Sequence, residues 1–243
     1  MHVFILLGSK GGAGRTTSSI VLAAGLAAIG LRPLHLQVTM SGIQPVIALA
    51  KGVPFSTAAV AEHIATPAAI KHTIEEHPEC STVVIDMVKQ TAWEMVFDHP
   101  ESVVLFPMRY ESHEVEVAVR DYRELRCRRP STIDSGFRLH RRPALSPDDT
   151  RPTTPPPCWL LPVAWPQGVD GHVVAAKVAR FDGPMRAGSP GPSILTPGIP
   201  YFPRDHLDDL INTSNYRCTS SIGEAAVLLA RSVSQLCRLI VAD

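Results

Sequence analysis

Residues 8–17 read GSKGGAGRTT and follow directly on the apolar run His2–Leu7, HVFILL. A phosphate-binding loop of the form GxxxxGK[ST] sets four residues between two glycines, then a lysine, then a hydroxyl. Gly14 takes the second glycine place and Thr16 the hydroxyl place; Gly8 stands one residue before the first glycine place, which Ser9 occupies, and Arg15 stands where the lysine belongs. Such loops turn backbone N–H groups toward phosphates at a helix N-terminus, where unpaired amides and the helix dipole favour anions. The cation neutralises the outer phosphates and the hydroxyl binds Mg2+. The expected phosphate contacts are therefore Gly8, Lys10, Gly11, Gly12, Ala13, Gly14, Arg15, Thr16 and Thr17, with Thr16 also a metal ligand.

The context suits such a loop. HVFILL is a β-branched and aromatic run of the kind buried on both faces of a parallel sheet. Thr16–Gly30 is rich in helix formers, and Gly30 fits a C-terminal cap. Arg32–Val38 (RPLHLQV) predicts a second strand. Strand, loop, helix and strand within 40 residues form a βαβ unit with a right-handed crossover. Further on, residues 56–77 predict helix, in one or two pieces around Pro67. Ser81–Val88 and Ser102–Met108 predict strands, with a short helix at 91–99 between them and an amphipathic helix over Ser112–Arg126. This alternation predicts a doubly wound α/β fold with a mostly parallel sheet.

Beyond Arg123 the character changes. Arg123–Arg151 holds eight arginines against four acids, and SPDDTRPTTPPP closes the stretch. Residues 129–157 are Pro-rich, polar and aperiodic, which predicts a long loop or insertion in an otherwise single domain spanning 1–243. Cys158–Trp165 (CWLLPVAW) resumes as a strand. A second Pro/Gly stretch, Asp182–Pro200, leads to a strong helix over Ser221–Val241. Its apolar stripe is expected at Ala225, Leu228, Leu229, Val233, Leu236 and Ile240.

Composition narrows the class. The 243 residues carry 23 basic and 23 acidic side chains, so no global polyanion-coating role is indicated. Five scattered cysteines without a CxxC pair argue against zinc or a disulfide framework and fit a reducing cytosol. The longest apolar run, Ile20–Leu31, is too short to span a bilayer, and no secretory signal is evident. A cytoplasmic protein without integral membrane insertion is the expectation.

KGGAGRTT resembles the deviant Walker A motif, KGGxGKT, of the ParA/MinD family of P-loop ATPases. The mark of that family is a lysine directly before the Gly-Gly pair, and Lys10 occupies it. The resemblance continues in TVVIDMV, similar to the family's Walker B strand with Asp86 supporting Mg2+, and in ILTPGIPYFP, similar to the segment near which adenine rests, at Pro200. It covers about residues 1–126 and 158–243. It implies a ParA-like P-loop architecture, ATP and Mg2+ as cofactors, and metal support from Thr16 and Asp86. It also implies catalytic roles for Lys10 and Arg15 and a nucleotide-dependent homodimer in which Lys10 touches the partner's phosphates. Plasmid partition or conjugative DNA transfer, with a ParB-like protein or transfer machinery as partner, follows as the expected setting.

Three departures bear on activity. Arg15 is larger and planar where a lysine is a compact point charge. Gln37 and Thr39 stand by position where the family has two aspartates that organise Mg2+ and the attacking water. LLPVAW lacks the family's adenine-reading asparagine. Phosphoryl transfer depends on positioned charge and an aligned nucleophile, so a slow ATPase is expected. The other reading is a nonhydrolysing adaptor that recruits a protein partner. A small-molecule kinase or biosynthetic ligase on the same fold has no substrate-site signature here. Arg123, Arg126, Arg128, Arg129, Arg138, Arg141 and Arg142 are candidates for nonspecific DNA phosphate contact. The last helix has too few basic residues and no aromatic for a membrane-surface anchor and is expected to pack on the sheet.

Overall fold

In the computed structural model, His2–Leu6 forms β1 and lies at the centre of a seven-stranded parallel sheet of order β3-β2-β4-β1-β5-β6-β7. The structure describes residues 1–39, 53–87, 102–127, 156–166, 168–182, 191–202 and 221–241. The remaining strands are β2 (Pro33–Thr39), β3 (Ser56–Ala61), β4 (Thr82–Asp86), β5 (Ser102–Met108), β6 (Cys158–Trp165) and β7 (Ile199–Pro200). The helices are α1 (Arg15–Ala28), α2 (Pro67–Glu75), α3 (Ser112–Cys127), α4 (Gly171–Ala179) and α5 (Ser221–Val241). Every described strand pair is parallel, as the continuous apolar runs at β1, β4 and β5 require.

Two apolar layers flank the sheet. On one face Phe4, Leu6, Val84 and Leu105 pack under α1 and α5. On the other, Val3, Ile5, Ile85 and Phe106 pack against Ile70 and Ile74 of α2 and the Val115–Leu125 stripe of α3. This alternation of side chains along each strand is what makes the fold doubly wound.

Two expectations are corrected. Residues 56–77 are not helical throughout: Ser56–Ala61 is the edge strand β3, then Glu62–Ile64 makes a 3-10 turn and only Pro67–Glu75 is helix. The cause is tertiary. β2 has an open flank, and Leu34–Thr39 pairs in register with Ser56–Ala61, so backbone pairing overrides the alanines' helix preference. Pro67 at the first turn and the Thr66 side chain, which accepts from Ala69 N–H at 3.1 Å, start the helix there.

The stripe of α5 differs in part: Leu229 and Val233 are buried as expected, and the side chain of Ile240 lies outside the described residues. Ile222, Ala226, Leu229, Ala230, Val233 and Cys237 are buried, whereas Leu228 is 49% exposed. Gly25 decides this. A Cβ on Gly25 would lie 2.0 Å from the Ala226 carbonyl oxygen, so α1 and α5 meet backbone to backbone. Small residues, Ala226 and Ala230, face that crossing, with Leu229 buried beside them. The Gly30 cap is as expected: φ is 88°, Gly30 N–H donates to Ala27 O, and Leu31 N–H donates to Leu26 O, closing α1. The 91–99 helix and residues 129–155 of the Pro/Arg-rich stretch lie outside the described residues.

Candidate functional site

In a parallel sheet all strand C-termini share one end, and loops there form the binding face. The GSKGGAGRTT loop leaves β1 at that end. Gly12 and Gly14 have φ of 82° and 88°, conformations that side chains resist, so the backbone can curl before α1. Gly14 also sits against Val163 of β6: a Cβ there would come within 2.9 Å of Val163 Cγ1. Gly11 and Gly12 are exposed and Ala13 is buried. Gly14 shows no side-chain cap on the α1 N-terminus, and the first turn has no acid. That end is therefore left open to an external anion.

Thr16 Oγ1 donates to Asp86 Oδ2 at 2.6 Å, joining the first turn of α1 to the end of β4. Asp86 is 5% exposed, and burial raises its carboxyl pKa above the usual carboxylate range, partly offset by the Thr16 hydrogen bond and the Arg15 charge. A hydroxyl and a carboxylate are hard oxygen donors that suit Mg2+, so the pair fits the metal. Gln37 is in register with Asp86 on the neighbouring strand, and Thr39 ends β2 two residues on, half-buried. No second carboxylate from β2 joins the site.

Arg15 points elsewhere than expected. Its Nη1 donates to the carbonyls of Gly8 at 3.0 Å and Met87 at 2.5 Å, so the guanidinium ties the start of the loop to the residue after Asp86. Lys10 Nζ pairs with Glu114 Oε1 of α3 at 2.5 Å, and Ser9 N–H donates to Asp121 Oδ2 at 2.6 Å. Thr17 is half-buried in the first turn of α1.

Glu114 and Asp121 were not legible as site residues. The available signal was phase: both fall within the apolar face formed by Val115, Ala118, Val119, Tyr122 and Leu125, and a buried acid needs a partner. Of the arginine cluster, Arg123 is held by Asp182 through Nε at 2.9 Å and Nη2 at 2.6 Å. Arg126 is exposed, and Arg128, Arg129, Arg138, Arg141 and Arg142 lie outside the described residues.

At the ends of β6 and β7 lies a mostly apolar cavity of about 520 Å³. Pro200, Trp165, Val174 and Leu228 line it, with Glu224 from the first turn of α5. β6 bulges here, with Ala164 at φ 56° between Val163 and Trp165. The bulge turns Trp165 inward, where Nε1 donates to Met108 O at 2.8 Å and the ring meets Tyr110 edge-on. Thr196–Pro197, on the cavity rim, is a cis peptide. Pro200 and the loop thus share one end of the sheet.

No protein-family model matches the chain, and no curated protein matches it in sequence. Solved structures do match over nearly the whole length. The cell division ATPase MinD of Pyrococcus furiosus aligns with a TM-score of 0.63 at 13% identity, over 97% of this chain and 99% of that one. A cobyrinic acid a,c-diamide synthase of Mycobacterium smegmatis, with bound ATP analog and magnesium, gives 0.54 at 13% identity over 97% and 94%. A putative plasmid partition protein of Borrelia burgdorferi, bound to AMPPNP, gives 0.52 at 12% over 96% and 98%. The chain therefore has the MinD/ParA P-loop fold. Among the described residues no helix is long and apolar enough to cross a membrane.

Proposed function

We propose that the chain is a ParA-like, Mg2+-dependent ATP-binding switch with slow turnover, whose nucleotide-bound form pairs with a second copy in plasmid partition or DNA transfer. The observation that carries this reading is the Thr16–Asp86 pair, set at 2.6 Å beside an uncapped helix N-terminus. The three structural neighbours span different roles, so the fold alone does not choose among them. Lys10 before Gly11–Gly12, and similarity to a plasmid partition protein, favour the partition reading over a biosynthetic one.

In this reading the exposed amides of Gly11 and Gly12, with those of Ala13 and Gly14, receive the phosphates. Thr16 and Asp86 hold Mg2+, which when bound would offset phosphate charge. The base rests in the cavity by Pro200. Arg15 orders the loop from behind by holding the Gly8 and Met87 carbonyls, and a carboxylate to orient water is missing where Gln37 and Thr39 stand. Slow turnover follows from that pair of substitutions.

The same observations favour one second reading, a nonhydrolysing adaptor, because Arg15 and Lys10 are both engaged within the chain. Calorimetric titration of MgATP and MgADP into the wild type and Arg15→Lys, with turnover on the same samples, separates the two. The switch reading expects wild-type binding and turnover that rises about tenfold or more in Arg15→Lys, as a freed ammonium is the better phosphate partner. Absence of wild-type binding at millimolar ATP sinks it in favour of the adaptor.

A further inference from the structure

Helix α5 presents a second face, distinct from the one that meets α1. Ser221, Glu224, Ala225 and Leu228 fall at i, i+3, i+4 and i+7 and so lie along one side of the helix. All four line the cavity of about 520 Å³ at the ends of β6 and β7. That size falls within the range of small-molecule sites, roughly 300–1,000 Å³. Leu228 is a large apolar side chain left 49% exposed, and Trp165, Val174 and Pro200 add further apolar wall.

Hydrogen-bond donors are scarce in this lining. Four of its residues, Pro162, Pro166, Pro197 and Pro200, have no backbone N–H. Trp165 Nε1 is committed to Met108 O at 2.8 Å, so the indole offers the cavity its ring and not its donor. The polar side chains that remain are Thr196, Ser221 and Glu224, and Glu224 is the one charged group among the described lining residues. An ionised carboxylate only accepts hydrogen bonds, so a ligand that satisfies it brings its own N–H.

We infer that Glu224 is a specificity-determining residue that accepts a hydrogen bond from the exocyclic amino group of adenine, with the ring of the base against the apolar wall. The inference rests on the reading of the chain as an ATP-binding protein and adds which atom of the base is read. Adenine is a flat aromatic whose edge carries one donor group, the amine; its ring nitrogens are acceptors. The cavity answers each part: apolar wall for the ring, a carboxylate for the amine, and the Thr196 and Ser221 hydroxyls as donors for a ring nitrogen.

Calorimetry with Mg2+ compares ATP with purine riboside 5′-triphosphate, which carries hydrogen in place of the amino group, in the wild type and in Glu224→Ala. The wild type is expected to favour ATP about tenfold, the lower end for a hydrogen bond to a charged group because Glu224 is exposed. Glu224→Ala is expected to bind the two alike, and Glu224→Gln, which keeps a side-chain acceptor, to retain part of the preference. Loss of an acid from the first turn of α5 acts on both triphosphates equally through helix stability and cancels in the ratio. Equal affinities in the wild type, or a preference for ATP that survives in Glu224→Ala, overturn the inference. So does GTP bound by the wild type more tightly than ATP, since guanine offers a carboxylate two donors. Absence of binding by all three triphosphates removes the nucleotide reading itself, and this inference with it.

Discussion

Asp86 is the residue on which the proposed metal role and folding pull in opposite directions. Burial raises its pKa, so the folded chain takes up its proton more readily than the unfolded chain does. Stability contributed by that proton is present at low pH and is lost as pH rises through the folded pKa, leaving a destabilising carboxylate at neutral pH. Asp86→Asn keeps an acceptor for Thr16 and removes the charge. It is expected to raise the melting temperature of the ligand-free protein by roughly 2–4 °C and to abolish Mg2+-dependent nucleotide binding, checked by calorimetry with and without metal.

His35 works the other way. It is 1% exposed, its Nε2 lies 2.8 Å from Ser19 Oγ, and burial lowers its pKa to about 4. Its stability contribution is full above the unfolded pKa of about 6.5 and is lost as pH falls toward 4. Over that window denaturant melts should lose about 3 kcal/mol from this group, and His35→Gln should flatten the slope.

At the scale of elements, the packing of α1 on α5 sets which face of α5 is buried. The absence of a side chain at Gly25 permits the crossing, with the Ala226 carbonyl where a Cβ would stand. Gly25→Ala is expected to destabilise by about 2–3 kcal/mol, although alanine is the better helix former, because the clash is with backbone that cannot rotate away. Urea unfolding reads this directly. The same comparison shows where helical periodicity stops being informative. The 3–4 spacing of α5 is real and places Leu229 and Val233, but two adjacent stripes satisfy it, and only the partner helix selects Ala226 and Ala230 over Ala225 and Leu228. In α3 the apolar stripe was legible, while the acids in phase with it acquired meaning only when the loop was found to supply their partners.

Across the whole molecule, the loop, the Thr16–Asp86 pair and the cavity by Pro200 share the C-terminal end of one parallel sheet. A ligand bridging them ties β1, β4, β6 and β7 together and stabilises the native state by mass action. MgATP at a hundred times its Kd should add about 2.7 kcal/mol, seen as a concentration-dependent rise in melting temperature that EDTA reverses. Amide exchange should slow at the loop and around the cavity rim together; slowing at the loop alone would place the base elsewhere.

The sequence by itself determined the βαβ start, the buried parallel strands, the glycine loop with its Arg15 substitution and the Thr16 and Asp86 positions. These are local matters of residue type and spacing, written in runs of β-branched residues and in glycines that free the backbone. Only the tertiary structure decided that Ser56–Ala61 pairs as an edge strand and that α5 turns its small residues to α1. It alone turned Arg15 to two carbonyls and Lys10 to Glu114. Each of those outcomes depends on which distant group arrives as a neighbour, and the physical reason is the same throughout. Backbone pairing, close packing and the pairing of buried charge are satisfied between segments far apart in the chain.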